Sequence, residues 1–379
     1  MTRGEGLWPR SGGRDFDWPL FIVTALIAVL GVVNLYSATS VYSGARSELY
    51  ISQIYWLALG GVLGGVLVAI DYRHLERLGY VLYAFGVFTL IVVLVLARDV
   101  RGSARWIEFG AFRFQPSEFM KLFLVIALAK YRHDDPRSVG RTLRDMLIPA
   151  ILTLVPFLLV LKQPDLGTAV ILGLIFLTIA ALTRLRLKSV LLFVAAAIPA
   201  AYVVFNYVLL SYQRDRITTF LNPEQDILHR GWHAHHARIA IGNGGMLGHG
   251  FMKGTQNQFL FIPDQHTDFP FPVFAEEWGF AGTFLLVCLY GFLCAWSVRI
   301  ASQAKDRFGA VLAIGAGSVL FWHAVINLGM TSGVLPVVGV TLPLFSYGGS
   351  SVTTVLISVS LLMSVSLRRH ATAVPPDRL

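Results

Sequence analysis

The residues able to do chemistry in this chain are few and unevenly placed. Only 14% of its 379 residues are charged, yet several acids and bases sit inside or against long apolar runs. Gln115-Pro116-Ser117-Glu118-Phe119-Met120-Lys121 opens one such run. Glu118 and Lys121 are three apart, so on a helix they share a face; they suit a structural ion pair or a charged pair facing a substrate cavity. Gln163-Pro164-Asp165-Leu166-Gly167-Thr168 opens another, with Pro164 at the first helical position. Asp165 there either complements the helix dipole or serves a cavity or a metal ion. His266-Thr267-Asp268-Phe269 precedes a third run. Asp268 could cap that helix or, at the lip of a cavity, act as a general base toward a hydroxyl. Glu276 and Glu277 follow inside the run. Polar groups at membrane depth are costly unless paired, so each carries a functional hypothesis.

Basic residues form a second set. Arg98, Arg101, Arg105 and Arg113 cluster with Trp106 and Gln115 in one short loop. They can snorkel to lipid headgroups or grip phosphates with guanidinium forks. His229, His233, His235 and His236 lack a regular ligand spacing and read as solvated surface. The Gly242-Asn243-Gly244-Gly245 and Gly248-His249-Gly250 steps read as turns. They are too loose for a nucleotide fingerprint, and there is no P-loop, so no nucleotide cofactor is expected.

The elements that must position these residues are membrane helices. The chain is 55% hydrophobic, and runs of about twenty apolar residues recur. Ten spans are expected, near 19–38, 54–70, 78–97, 116–131, 146–162, 165–183, 189–209, 272–298, 309–331 and 346–367. The fold class is therefore an all-α polytopic membrane protein, read as one integral unit over 1–379. A single long extracellular loop, 211–271, precedes the eighth helix. A loop of that length is usually functional. With the N-terminus inside, nineteen Lys and Arg fall on the inner side and five in the outer short loops, which makes both termini cytoplasmic. The net charge of +9 follows that topology; without a soluble basic domain, nucleic acid is not an expected partner. Cys288 and Cys294 share one helix about 9 Å apart in rise, too far for a disulfide. Gly333 to Ser351, rich in Gly and Pro, reads as a re-entrant segment lining a cavity.

Taken in order, these motifs resemble the SEDS (shape, elongation, division, sporulation) family along nearly the whole chain. The pieces are Arg105-Trp106, RFQPSE at 113–118 with Lys121, QPDLGT at 163–168, RIAIGNGG at 238–245, GTQNQ at 254–258, HTDF at 266–269, AEE at 275–277 and GVLPVVGVTLPLFSYGGSS at 333–351. The GTQ step favours the elongation branch over the division branch. The resemblance implies a peptidoglycan glycosyltransferase in the bacterial cytoplasmic membrane, polymerising lipid II at its outer face. It implies a class B penicillin-binding protein as partner. It implies Asp268 as the catalytic acid, Glu118, Lys121 and Asp165 lining a central cavity, and Arg105, Trp106, Arg113 and Gln115 near its outer mouth. A divalent cation, Mg2+ or Mn2+, is expected to help stabilise the pyrophosphate leaving group. Pro270 and Pro272 depart from the family pattern beside Asp268, as do His235 and His236. A lipid II flippase and a scaffold for the transpeptidase are the competing readings; a flippase has no need of a base at the outer lip.

Overall fold

The structure is a computed structural model. It describes residues 16–96, 105–109, 112–135, 143–181, scattered positions between 195 and 208, 211–221, 231–262 and 264–369. The expected seventh span, 189–209, lies largely outside the described residues. So do Arg98, Arg101, His229, both chain ends, and Arg137, Arg141, Arg184, Arg186 and Lys188 among the loop cations.

Apolar runs become helices where the bilayer leaves the backbone no other partner than itself. The helices are α1 (Trp18–Thr39), α2 (Leu49–Ala69), α3 (Tyr72–Leu96), α4 (Pro116–Asp134), α5 (Leu147–Lys162), α6 (Leu166–Ala181), α7 (Ser211–Leu221), α8 (Trp232–Asn243), α9 (Thr255–Gln258), α10 (Pro270–Ser302), α11 (Arg307–Ser332) and α12 (Gly349–Leu367). Seven helical segments among the described residues are long and apolar enough to cross a membrane, and α6 is a shorter apolar helix. The boundaries follow local chemistry. The Asp306 carboxylate accepts the Gly309 amide at 2.7 Å to start α11, and Gly333 ends it in the left-handed region at φ 79°.

The helices are not equivalent. In their most apolar windows α11 and α12 are 67% and 72% buried, against 17% and 22% for α2 and α3. The first pair forms the centre and the second a lipid-facing rim. Helix α4 also runs through the centre, burying Glu118 and Lys121 among Met120, Leu124 and Leu128.

Three local expectations change. The helix after Gln163 begins at Leu166, not Pro164, because Asp165 takes the capping place and accepts the Thr168 amide at 3.2 Å. The arginine-rich loop contains a two-stranded antiparallel hairpin, β1 (Ile107–Phe109) with β2 (Phe112–Phe114), in register Glu108↔Arg113. Among its described residues, the stretch 211–271 carries three helices, α7, α8 and α9. Among the described residues, 334–348 is the irregular stretch between α11 and α12, as a re-entrant reading requires. Side chains satisfy its backbone: Gln53 donates to Ser346 O at 3.0 Å, Tyr290 to Pro343 O at 2.7 Å and Asn327 to Val340 O at 2.6 Å. Cys288 and Cys294 are free thiols.

Candidate functional site

Asp268 sits one residue before the N-cap of α10. Pro270 and Pro272 fall within the first helical turn, where a missing amide costs nothing. The N-cap is Phe269, with no side-chain capping bond. Asp268 is therefore not spent on capping. Its backbone is pinned instead: its amide donates to Asp264 O at 3.1 Å, and its carbonyl accepts from Asn327 of α11 at 3.0 Å.

The freed carboxylate lines a cavity of about 520 Å³. Its walls come from four places: Asp215, Arg216 and Phe220 of α7, His233 and Arg238 of α8, Asp264 and Asp268, and Leu335 to Val337 of the irregular segment. Burial pushes the Asp268 carboxyl up from 3.8 to about 6; the Asp264 charge adds to that, while Arg105 and Arg216 pull it down. Burial holds His233 below its usual range, with Asp264 opposing and Arg216 assisting. Arg216 donates to Val337 O at 3.2 Å, and Arg238 donates through Nε to Ala234 O at 3.3 Å. Each guanidinium is thus steadied by one backbone bond while keeping further donors for an anion. A side chain at Gly333 would press on Arg238, a Cβ there lying 2.9 Å from its Cδ.

None of the remaining expected residues lines this cavity; Gln115, Glu118, Lys121 and Asp165 are buried polar groups beside it. Gln115 donates to Asp165 at 2.9 Å and to Ser117 at 3.1 Å, and its own amide donates to Ser350 Oγ at 3.1 Å. Ser350 in turn donates to the Arg113 carbonyl at 3.5 Å. Arg105 stands 3.6 Å from the second Asp165 oxygen. Because Arg105 also acts on Asp268, it links these groups to the cavity. Trp106, beside it, is half-buried, and Arg113 is exposed. Lys121, fully buried, donates to Glu118 at 2.8 Å and to His323 Nε2 at 2.6 Å. His323 Nδ1 lies 3.1 Å from Thr341 O, which can only accept, so Nδ1 carries the proton and Nε2 accepts from Lys121. This chain runs from the ion pair to the irregular segment that walls the cavity.

Sequence reasoning missed Arg216, Arg238 and His323. The first two lie on short helices inside a stretch read as a loop. His323 has no local signature, and only the crossing of α4 and α11 brings it to Lys121. Glu276 has a structural role: its Oε1 accepts from Asn243, from Gln256 N, and from both the amide and hydroxyl of Thr255, at 2.9–3.2 Å. Glu277 accepts from Ser37 of α1.

The profile of the cell cycle protein family that groups FtsW, RodA and SpoVE matches residues 17–371. The chain belongs to the SEDS family. Within it, the chain is 36% identical to the peptidoglycan glycosyltransferase MrdB of Escherichia coli K12, over 91% of this chain and 93% of that one. It is 31% identical to the peptidoglycan glycosyltransferase RodA of Treponema pallidum, over 94% and 99%. Its fold is similar to the crystal structure of the Thermus thermophilus rod shape determining protein RodA, with TM-score 0.71 and 31% identity over 95% and 99% of the two chains. A solved peptidoglycan synthase complex, studied for how it coordinates polymerization and crosslinking, contains a chain matched at TM-score 0.80 and 34% identity, over 94% and 99%. This SEDS protein thus has a RodA-like sequence and a multi-pass helical membrane fold.

Proposed function

We propose that this chain polymerises lipid II into glycan strands at the outer face of the cytoplasmic membrane, with Asp268 as general base. It is a peptidoglycan glycosyltransferase of the elongation type, serving cell shape. The observation that carries the base assignment is Asp268 itself: a carboxylate released from capping, fixed by its backbone, in a cavity that also holds Arg216 and Arg238. In the proposed step the Asp268 carboxylate takes the proton of the acceptor GlcNAc 4-hydroxyl. That oxygen attacks C1 of the donor MurNAc, forming the glycosidic bond as the bond to undecaprenyl pyrophosphate breaks. A pKa near 6 leaves Asp268 ionised at neutral pH yet more basic than an ordinary carboxylate. Arg216 and Arg238, with Arg105 behind Asp268, are placed to offset the charge of the leaving pyrophosphate. The Glu118–Lys121–His323 chain holds the irregular wall in place.

Ten spans, an extracellular position for 211–271 and cytoplasmic termini belong to the same reading, supported by the distribution of Lys and Arg. So does a class B penicillin-binding protein as cross-linking partner. For a divalent cation, no three metal-ligating side chains gather among the described residues. The donor set fits a cation held by Asp264 together with substrate phosphate oxygens, the hard ligands that Mg2+ prefers. Bound there, it would neutralise charge on the leaving group.

The test is polymerisation of purified lipid II by wild type and by Asp268→Ala, each checked for folding. Glycan from wild type and none from the variant is expected. Full activity in Asp268→Ala would overturn the base assignment. Lipid II translocation by wild type without polymerisation, even with the partner present, would favour a flippase.

A further inference from the structure

Helix α10 is too long for the bilayer it crosses. Its 33 residues rise about 50 Å, against a hydrocarbon core about 30 Å thick. A break at Gly279, with φ 63° and ψ −162°, divides it. Before the break, every residue from Pro270 to Glu277 is buried. Beyond it, Phe280, Phe284 and Leu285 are 57%, 60% and 52% exposed and form a lipid-facing stripe. Phe280–Ser302 rises about 34 Å, the length of one crossing. Gly279 therefore marks one edge of the hydrocarbon core, on the side that carries the Asp268 cavity.

The turn between α8 and α9 is bonded into this break. Phe280 and Ala281 donate their amides to Gly245 O and Met246 O at 2.8 and 3.1 Å, and Glu276 and Glu277 accept from His249 and Gly250, each at 3.0 Å. A Cβ at Gly248 would overlap the Glu277 carbonyl, and one at Gly279 the Gly248 amide. Only glycine permits so close an approach with positive φ on both sides. The bonds place Met246 and Leu247 at the depth of Phe280 and Ala281, and these two side chains are 70% and 81% exposed. Aromatic rings mark the same level. Phe251 stacks on Tyr36 at 6.3 Å, and Tyr36 meets Tyr50 edge-on at 5.1 Å, as expected of a girdle at the membrane interface.

We infer that the 245–251 turn is an interfacial anchor that inserts Met246 and Leu247 into the acyl edge of the adjacent leaflet. The occupant is lipid because the apolar tip continues the lipid-facing stripe of α10 and sits within the aromatic girdle. Glu276 grips Asn243 at the end of α8 and Thr255 and Gln256 in α9. The anchor thereby sets the height of α8, with His233 and Arg238, above the lipid surface. This inference rests on the membrane-spanning fold and not on the catalytic reading.

The test uses the full chain with Cys288→Ser and Cys294→Ser, confirmed to retain its activity, in vesicles of phosphatidylethanolamine and phosphatidylglycerol. A spin label is placed by Leu247→Cys, Met246→Cys or Lys253→Cys. Oxygen is expected to relax the labels at 246 and 247 more than a water-soluble nickel chelate does, with the order reversed at 253. Nickel-dominated relaxation at 246 and 247 would place the turn in water and overturn the proposal. Protection from both reagents would assign the surface to a protein contact and overturn it equally. Should Leu247→Cys fail to fold, the label at 246 reads the same depth.

Discussion

The protonation of Asp268 makes the catalytic reading measurable. Burial pushes its carboxyl from 3.8 to about 6, Asp264 reinforces the shift, and Arg105 and Arg216 oppose it. A base works only as the carboxylate, so polymerisation should be near its plateau above about pH 7, half-maximal near pH 6 and lost as the pH falls below that. At pH 5 about one molecule in ten would hold the active form. Arg216→Gln removes one of the two opposing cations. Arg216 is exposed, so water screens its field, and its loss is worth about half a pKa unit. The acidic limb should move from about 6 to about 6.5, cutting the relative rate near pH 5.5 about two- to threefold and leaving the plateau above pH 8 flat. The assay is kcat/KM for lipid II against pH, read for limb position separately from plateau height, because Arg216 is also proposed to hold pyrophosphate. A wild-type limb near pH 4, or a limb that Arg216→Gln leaves unmoved or shifts downward, would refute the reasoning.

Two further outcomes follow from burial. Lys121→Met leaves Glu118 buried without its cation and should cost about 3–5 kcal/mol; adding Glu118→Gln should recover part of that, read as unfolding midpoints in detergent. Asp268→Asn should abolish polymerisation yet raise stability at neutral pH by about 1–3 kcal/mol. A carboxyl whose pKa is raised in the folded state binds its proton more tightly there. Stability therefore falls as the pH rises from about 4 to 6, and the amide removes that penalty. An unchanged midpoint at pH 7.5 would contradict it.

The sequence by itself determined the class of molecule and most of its helices. Runs of apolar residues have only one way to satisfy their backbone in a bilayer, so α1, α2, α3 and α10 to α12 lie close to where hydropathy puts them. The Gly- and Pro-rich stretch before Ser351 likewise announced irregular backbone. The motif set led to the right family because each piece is short, ordered and local. Tertiary structure decided which polar residues meet. Glu118, Lys121 and Asp165 were expected to line a central cavity; packing buries them outside the lining of the cavity beside Asp268, with Arg105 between the two sets. Arg216 and Arg238 became candidates only when α7 and α8 folded over Asp268. His323 joined Lys121 only because α4 crosses α11, and Asp268 proved free of capping because Pro270 and Pro272 start the helix after it. Spacing along the chain fixes which side chains share a helix face, whereas the encounters that build this site join residues from 30 to 235 positions apart, and only packing chooses among those.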